Sequence, residues 1–151
     1  MKDIVEIKYT FEKNKIGYKN FDEKIRSVRI FGDKFVENNK RYCKMIINEE
    51  EMELSSFYKY DYKEEEKLVF NEYFNEELLN KKEENKFELE IKLKGIKKIV
   101  DISHMFDSCE EIIDLKISKF DTSNIINMNS LFYSCKKLNK INDISKWNVI
   151  M

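Results

Sequence analysis

The last third of the chain repeats itself, and this repeat constrains the fold more than any other feature of the sequence. The segment Met105–Cys109, MFDSC, returns as Leu131–Cys135, LFYSC, after a shift of 26 residues. The same shift aligns Leu115 with Ile141, so the match extends beyond one short motif. Two units that share their apolar positions are expected to adopt one conformation and to pack against each other.

The pattern within one unit predicts a strand followed by a helix. Leu115 and Ile117 alternate with Lys116, as in a strand with one buried face. Asp121–Ser123 offers oxygens suited to a helix N-cap, and apolar residues follow at helical spacing. A period of about 20 to 29 residues is that of leucine-rich repeats. The sequence therefore predicts an α+β fold in which residues 96–151 form about two coils of a strand-plus-helix solenoid, the second coil incomplete.

Equivalent positions of two stacked coils should lie about 4.8 Å apart and form an internal apolar ladder. A one-residue insertion at Asn142–Asp143 is expected to form a turn or bulge. The residues predicted for the ladder are Met105, Phe106, Cys109, Leu115, Ile117, Phe120, Met128, Leu131, Phe132, Cys135, Leu138, Ile141, Ile144 and Trp147.

The residue pattern of 1–95 predicts a β-rich cap that precedes the repeats. The clearest strand is 87–94, where apolar and charged residues alternate without interruption, and we expect it to seal one end of the repeat stack. Further strands are predicted near 4–9, 27–31, 42–47 and 52–54. The last two are expected to form a hairpin around a four-residue loop, 48–51.

One segment of the cap differs from the rest in charge. Residues 61–90 contain eleven acidic and five basic residues. Apolar residues within it fall near helical spacing, so an acidic amphipathic helix is predicted near 64–82.

The overall charge excludes several classes of partner. Lys and Arg number 28 against 29 Asp and Glu, which leaves a net charge of −1 and no field that would attract nucleic acid. Residues 57–63 interleave Tyr and Lys as a single-strand platform would, but the acidic run that follows argues against that function. No apolar run approaches the roughly 18 residues of a membrane span. Met1–Glu6 has no apolar signal core, so the sequence as written predicts a cytoplasmic chain.

The sequence contains no pattern typical of catalysis, of a cofactor or of a metal. Cys109 and Cys135 occupy equivalent repeat positions and Cys43 lies far from both, so all three are expected to be buried thiols, with a Cys109–Cys135 disulfide as the alternative. His104 is the only histidine, and the three glycines are isolated. Without paired His, C-x-x-C or a glycine-rich loop, we predict a protein that is not an enzyme.

The repeat motif resembles that of a known family. Phe120–Ile125, FDTSNI, together with Met128, Leu131 and Phe132, is similar to the roughly 26-residue unit of the BspA-like leucine-rich-repeat surface proteins, mycoplasma type. The resemblance covers about residues 95–151, and residues 30–40 look like an N-terminal unit that precedes such repeats in some protist proteins. It implies a protein-binding or adhesive solenoid at a cell surface.

We therefore expect a protein-interaction module. Residues that alternate with buried Leu115 and Ile141 must point outward, so the predicted partner contacts are Asp114, Lys116, Lys140 and Asn142. The alternative is an assembly role, or a truncated piece of a longer repeat protein, in which apolar residues of the last coil self-associate with another copy.

Overall fold

The computed structural model describes residues 3–12, 25–61 and 86–142, together with 144, 145 and 147. These residues are mostly β-structure. The strands are β1 (Ile4–Glu12), β2 (Ile25–Arg29), β3 (Lys44–Ile47), β4 (Glu50–Glu53), β5 (Phe57–Asp61), β6 (Lys86–Lys94), β7 (Ile112–Ser118) and β8 (Lys140–Ile141). The described helices are α1 (Asp33–Asn39) and the 3₁₀ turn Ile96–Lys98.

Six strands form one mixed sheet in the order β4-β3-β6-β1-β7-β8, and β2 pairs with β5 in a second sheet. Strand β1 pairs antiparallel with β6 from Ile4↔Lys94 to Glu12↔Lys86. On its other side β1 pairs antiparallel with β7, with a register shift after Thr10. The single parallel pair among the described strands joins β7 to β8.

The alternation of apolar and charged residues decides which face of the sheet is buried. In β6, every second residue from Phe87 to Leu93 is buried while Glu88, Glu90 and Lys92 between them are exposed. Strand β1 buries Val5, Ile7, Tyr9 and Phe11 on the same face. One face of the sheet is therefore the core, and the charged residues lie on the opposite face, which is more exposed.

Tyr9 lies at the centre of this core and joins its parts. Its ring packs edge-on against Phe31 and Phe106 at centroid separations of 6.3 and 6.2 Å. Its hydroxyl donates a hydrogen bond of 2.9 Å to the carbonyl of Ile30, and its burial raises its pKa well above the ordinary value. One side chain thus connects the sheet, the segment before α1 and the first repeat.

The segment that contains α1 packs directly on the first repeat. Gly32 donates its N–H to the carbonyl of Met105 at 2.9 Å, and the buried side-chain amide of Asn39 donates to the carbonyl of Asp101 at 3.0 Å. Gly32 is required for this approach, because a Cβ there would lie 2.1 Å from the carbonyl oxygen of His104.

The predicted strand-plus-helix solenoid is wrong, and with it the α+β fold class. The described residues of the two repeats contain strands and turns but no α-helix, and β7 joins the six-stranded sheet. The backbone shows why: His104 and Ser108 in the first repeat, and Ser130 and Ser134 in the second, have positive φ. A right-handed helix needs negative φ throughout, so these residues break the chain into tight turns every four positions.

The strands of the predicted cap have mixed outcomes. The strand at 87–94 is confirmed as β6, but it does not seal the repeats, because β1 lies between β6 and β7. The hairpin is confirmed as β3–β4, yet its loop is the two-residue turn Asn48–Glu49, both with positive φ. The helix predicted near 64–82 lies outside the described residues.

We expect Gly32→Ala to destabilise the protein. The added methyl meets a backbone carbonyl, which no side-chain rotation relieves, so α1 and the first repeat must separate. Overpacking of this kind costs about 1–3 kcal/mol, measured as the free energy of unfolding in urea. Lys34→Ala, at an exposed position of α1, is the matched control. Equal stabilities of the two variants would contradict this account.

We expect the equivalent phenylalanines of the two repeats to differ in their contribution to stability. Phe106 is completely buried, so Phe106→Ala should cost about 3–5 kcal/mol. Phe132 is only partly buried, so Phe132→Ala should lower the free energy of unfolding by roughly 1–3 kcal/mol. Urea unfolding of both variants measures the difference, and a larger loss for Phe132→Ala would refute the assignment of core and edge.

Candidate interaction surface

The two repeats lie side by side in the register that their sequences define. Asp114 pairs with Lys140 and Leu115 with Ile141 in the parallel β7–β8 ladder. An isolated parallel bridge joins residue 101 to residue 127, again 26 positions apart. Residues that are equivalent in the two sequences therefore lie next to each other, both near the start of the repeat and in its strand.

Four backbone hydrogen bonds connect the turns of the repeats, and all four run in one direction. The donors are N–H groups of the first repeat and the acceptors are carbonyls of the second, at 2.8–3.0 Å. The pairs are Ile102 to Asn127, His104 to Asn129, Phe106 to Leu131 and Ser108 to Tyr133. The first repeat thus directs alternate N–H groups at its neighbour, not into a helix of its own.

Equivalent side chains stack across the same junction. The rings of Phe106 and Phe132 lie nearly parallel, with centroids 5.7 Å apart and an interplanar angle of 4°. Phe120 meets Trp147 edge-on at 5.2 Å. These contacts bring together several of the predicted ladder residues in pairs.

The second repeat is less covered than the first. Ile102, Phe106 and Cys109 are completely buried. Their equivalents Met128, Phe132 and Cys135 are only partly buried, as are Leu138 and Ile141. These five partly buried side chains, with the backbone of residues 128–134, form the surface that we name the repeat edge.

Exposed apolar residues of the same repeats surround this edge. Tyr133 exposes 65% of its surface and Ile126 exposes 59%. Ile126 is the equivalent of Val100, which is also exposed, and its N–H donates to the Val100 carbonyl at 2.8 Å. Sequence reasoning did not single out these residues, although the 26-residue register aligns 100 with 126 and would have revealed the pair.

The residues predicted as partner contacts lie on β7, on β8 and just after β8. Lys116 and Lys140 are exposed and Asp114 is partly exposed, all at positions that alternate with the buried face. Asn142 is engaged differently: its side-chain amide donates to the carbonyl of Ile117 and accepts from the N–H of the same residue, both at 2.8 Å. Its amide therefore continues the β-ladder, and it has fewer hydrogen-bonding groups to offer a partner.

Ion pairs cover much of the open sheet face. Lys8 lies 3.1 Å from Glu88 and Lys94 lies 3.1 Å from Glu51, while Lys44 pairs with Glu53. Exposed pairs of this kind contribute about 0–1 kcal/mol each. Among the described residues, the predicted contacts Lys116 and Lys140 take part in none of the ion pairs.

Two further ion pairs connect the repeats at their turns. Lys136 lies 3.1 Å from Glu110, and Lys137 lies 2.8 Å from Glu111. Each ion pair joins two residues that occupy equivalent positions in the two repeats, 26 residues apart. The two ion pairs therefore help to hold the repeats in register at the surface.

The cysteines are free thiols in the structure, and no disulfide joins Cys109 to Cys135. Burial raises the pKa of Cys43 to about 12 and that of Cys135 to about 11, and it raises the pKa of Cys109 further still. The Sγ of Cys135 donates to the carbonyl of Phe106 at 3.0 Å. Cys43 and Cys109 are buried as predicted, whereas Cys135 is only partly buried. A protonated thiol is a poor nucleophile, so these cysteines act as packing groups.

His104 is the one histidine in the sequence, and it is held by Asp107. Its Nδ1 lies 2.6 Å from Oδ2 of Asp107, and the other carboxylate oxygen accepts a 2.8 Å hydrogen bond from Ser108 Oγ. A nucleophilic triad requires the serine to donate to the histidine. Here the serine donates to the aspartate, so the three side chains do not form that arrangement.

A shallow pocket lies where the start of β1 meets the first repeat, and it contains Asp3 and Asp121 among its lining residues. Both carboxylates bind backbone N–H groups, Asp3 that of Lys97 at 2.7 Å and Asp121 that of Ser123 at 3.0 Å. The described residues contain no group of three or more His, Cys, Asp or Glu placed to hold a metal ion. Within the same part of the chain, no helix has the length and apolar character to cross a membrane.

Comparison with known proteins gives one family match. The family described as "Mycoplasma protein of unknown function, DUF285" matches residues 71–151, which include β6, β7, β8 and both repeats. No curated protein and no solved structure matches the chain. Since the match spans more than half of the 151 residues, the chain belongs to this DUF285 family.

Proposed function

We propose that this protein is a non-enzymatic protein-interaction module of the BspA-like repeat type that serves recognition or adhesion at a cell surface. The DUF285 family is associated with repeat proteins of that type. The motif at 120–125 supports the same assignment at the level of sequence. The similarity concerns the repeat unit, whose described conformation in this chain is strand and turn.

The observation that carries the proposal is the unequal burial of equivalent residues. Phe106 is completely buried and Phe132 is partly exposed, although both lie at the same repeat position. The first repeat has a neighbour on each side, the α1 segment and the second repeat, whereas the second repeat has a described neighbour on one side. A partly exposed apolar row beside an exposed tyrosine has the composition of a protein-interface core.

The predicted contact residues fit the periphery of such an interface. Lys140 lies on β8, the strand at the end of the six-stranded sheet, and Asp114 is its paired neighbour. Lys116 follows on the same face of β7. Charges at an interface rim steer association and set its salt dependence more than they set affinity.

We expect Tyr133→Glu to weaken partner binding. A carboxylate beside the repeat edge must be desolvated when a partner covers it, and truncation of a buried interface residue costs about 2 kcal/mol, so retention of the partner should fall at least roughly tenfold. The measurement is quantitative pull-down from cells that make the protein, with the wild-type chain in parallel. Tyr42→Glu is the matched control, since Tyr42 is an exposed tyrosine outside the repeats.

Charge reversal tests the rim separately. Lys116→Glu combined with Lys140→Glu should reduce the association rate and its dependence on salt, while the repeat edge remains intact. Loss of the partner in Tyr42→Glu and Tyr133→Glu alike would contradict binding at the repeats. No saturable protein partner for the wild-type chain would contradict the function itself.

A further inference from the structure

From the hydrogen-bond polarity of the repeats, we infer that the repeat edge binds a segment of a different polypeptide that adopts the same succession of turns as residues 127–134 and lies parallel to them. The segment must present backbone carbonyls at every second residue. This inference rests on the proposed interaction function and specifies the chemistry of the partner. It follows from three features of the described backbone, taken in turn below.

The first feature is a row of four N–H donors without acceptors. In the first repeat, the equivalent donors all bond to carbonyls of the second repeat. In the second repeat, the described part of the chain offers no acceptor to the N–H groups of Met128, Ser130, Phe132 and Ser134. Ser130 and Ser134 share the positive φ of His104 and Ser108, so the two backbones have the same turns at equivalent positions. The donors therefore point away from the first repeat.

The second feature is that carbonyls of this edge are already occupied. The carbonyl of Ser130 accepts from Tyr133 N–H at 3.2 Å, and that of Phe132 accepts from Cys135 N–H at 3.2 Å. The carbonyls of Asn127, Asn129, Leu131 and Tyr133 accept from N–H groups of the first repeat. The edge is thus rich in donors and poor in acceptors, and only a chain that supplies carbonyls can satisfy it.

The third feature is that the repeats of a second copy present no complete row of free carbonyls. In its second repeat the carbonyls of Asn127, Asn129, Leu131 and Tyr133 accept from the first repeat, and among their first-repeat equivalents those of Asp101 and Met105 accept from Asn39 and Gly32. Two repeat edges placed against each other would oppose donors with donors. The occupant is therefore a segment of another polypeptide, and an apolar or aromatic residue in it can stack on Phe132 as Phe132 stacks on Phe106.

A peptide with the sequence of the second repeat is a suitable probe, because the backbone of this repeat already accepts hydrogen bonds from the equivalent row of N–H donors in the first repeat. We would add a synthetic peptide with the sequence of residues 119–142 to the full-length, ¹⁵N-labelled chain and measure amide exchange by NMR. The same peptide tethered after Met151 raises its effective concentration. A peptide of equal composition and scrambled order is the control.

We expect exchange of the amides of Met128, Ser130, Phe132 and Ser134 to slow at least about tenfold. The amide of Ile126, which already donates to Val100, should be unaffected. A nitroxide at the peptide amino terminus should broaden the signal of Met128 more than that of Ser134, which establishes parallel orientation.

Several outcomes overturn the inference. One is that amide exchange does not slow with about 1 mM free peptide or with the tethered form. Another is that the scrambled peptide slows exchange equally, and a third is that the nitroxide broadens the signal of Ser134 most. Protection that grows with the concentration of the labelled chain alone would show a second copy as the occupant. If Tyr133→Glu abolishes binding of the cellular partner but the four amides stay unprotected with that partner bound, the function stands and backbone pairing at the repeat edge fails.

Discussion

Strand β1 holds the sheet together, because β6 and β7 each hydrogen-bond to it and not to each other. Its nine residues come from the beginning of the chain, outside the matched family segment 71–151. The repeats therefore depend on a distant strand for their place in the sheet, and on Tyr9 of that strand for their aromatic core. The six-stranded sheet crosses the predicted boundary between residues 95 and 96, so the cap and the first repeat share one core.

Local alternation and internal repetition made part of this structure predictable. The alternation of 87–94 defined β6 without ambiguity, since period two over eight residues fits only a half-buried strand. The 26-residue shift predicted that Leu115 would lie beside Ile141, and their pairing in register shows why repeat detection carries spatial information. The exposure of Lys116 and Lys140, which we predict as contact residues, follows from the same alternation.

The helix predicted in each repeat failed for a physical reason. Apolar residues three and four positions apart also suit successive tight turns, and the sequence distinguishes the two only through residues that accept positive φ. Serines at 108, 130 and 134 have that conformation, but serine signals it far less strongly than glycine or asparagine does. The central position of β1 was equally hidden, because antiparallel pairing between residues 4–12 and 86–118 depends on contacts that no local pattern encodes.

Polarity along the repeat direction connects the fold to the proposed function. The α1 segment supplies donors, Gly32 N–H and the Asn39 amide, to carbonyls of the first repeat, and the first repeat supplies donors to the second. These bonds of the α1 segment and of the turns run in the same sense, although Ile126, Asn139 and Asn142 donate from the second repeat back to the first. The equivalent turn N–H groups of the second repeat are the donors of the repeat edge. Apolar exposure alone would accept many partners, whereas an ordered row of N–H groups selects a backbone that presents carbonyls at every second residue in one orientation. Binding specificity at this edge would then reside first in the backbone and only second in the side chains.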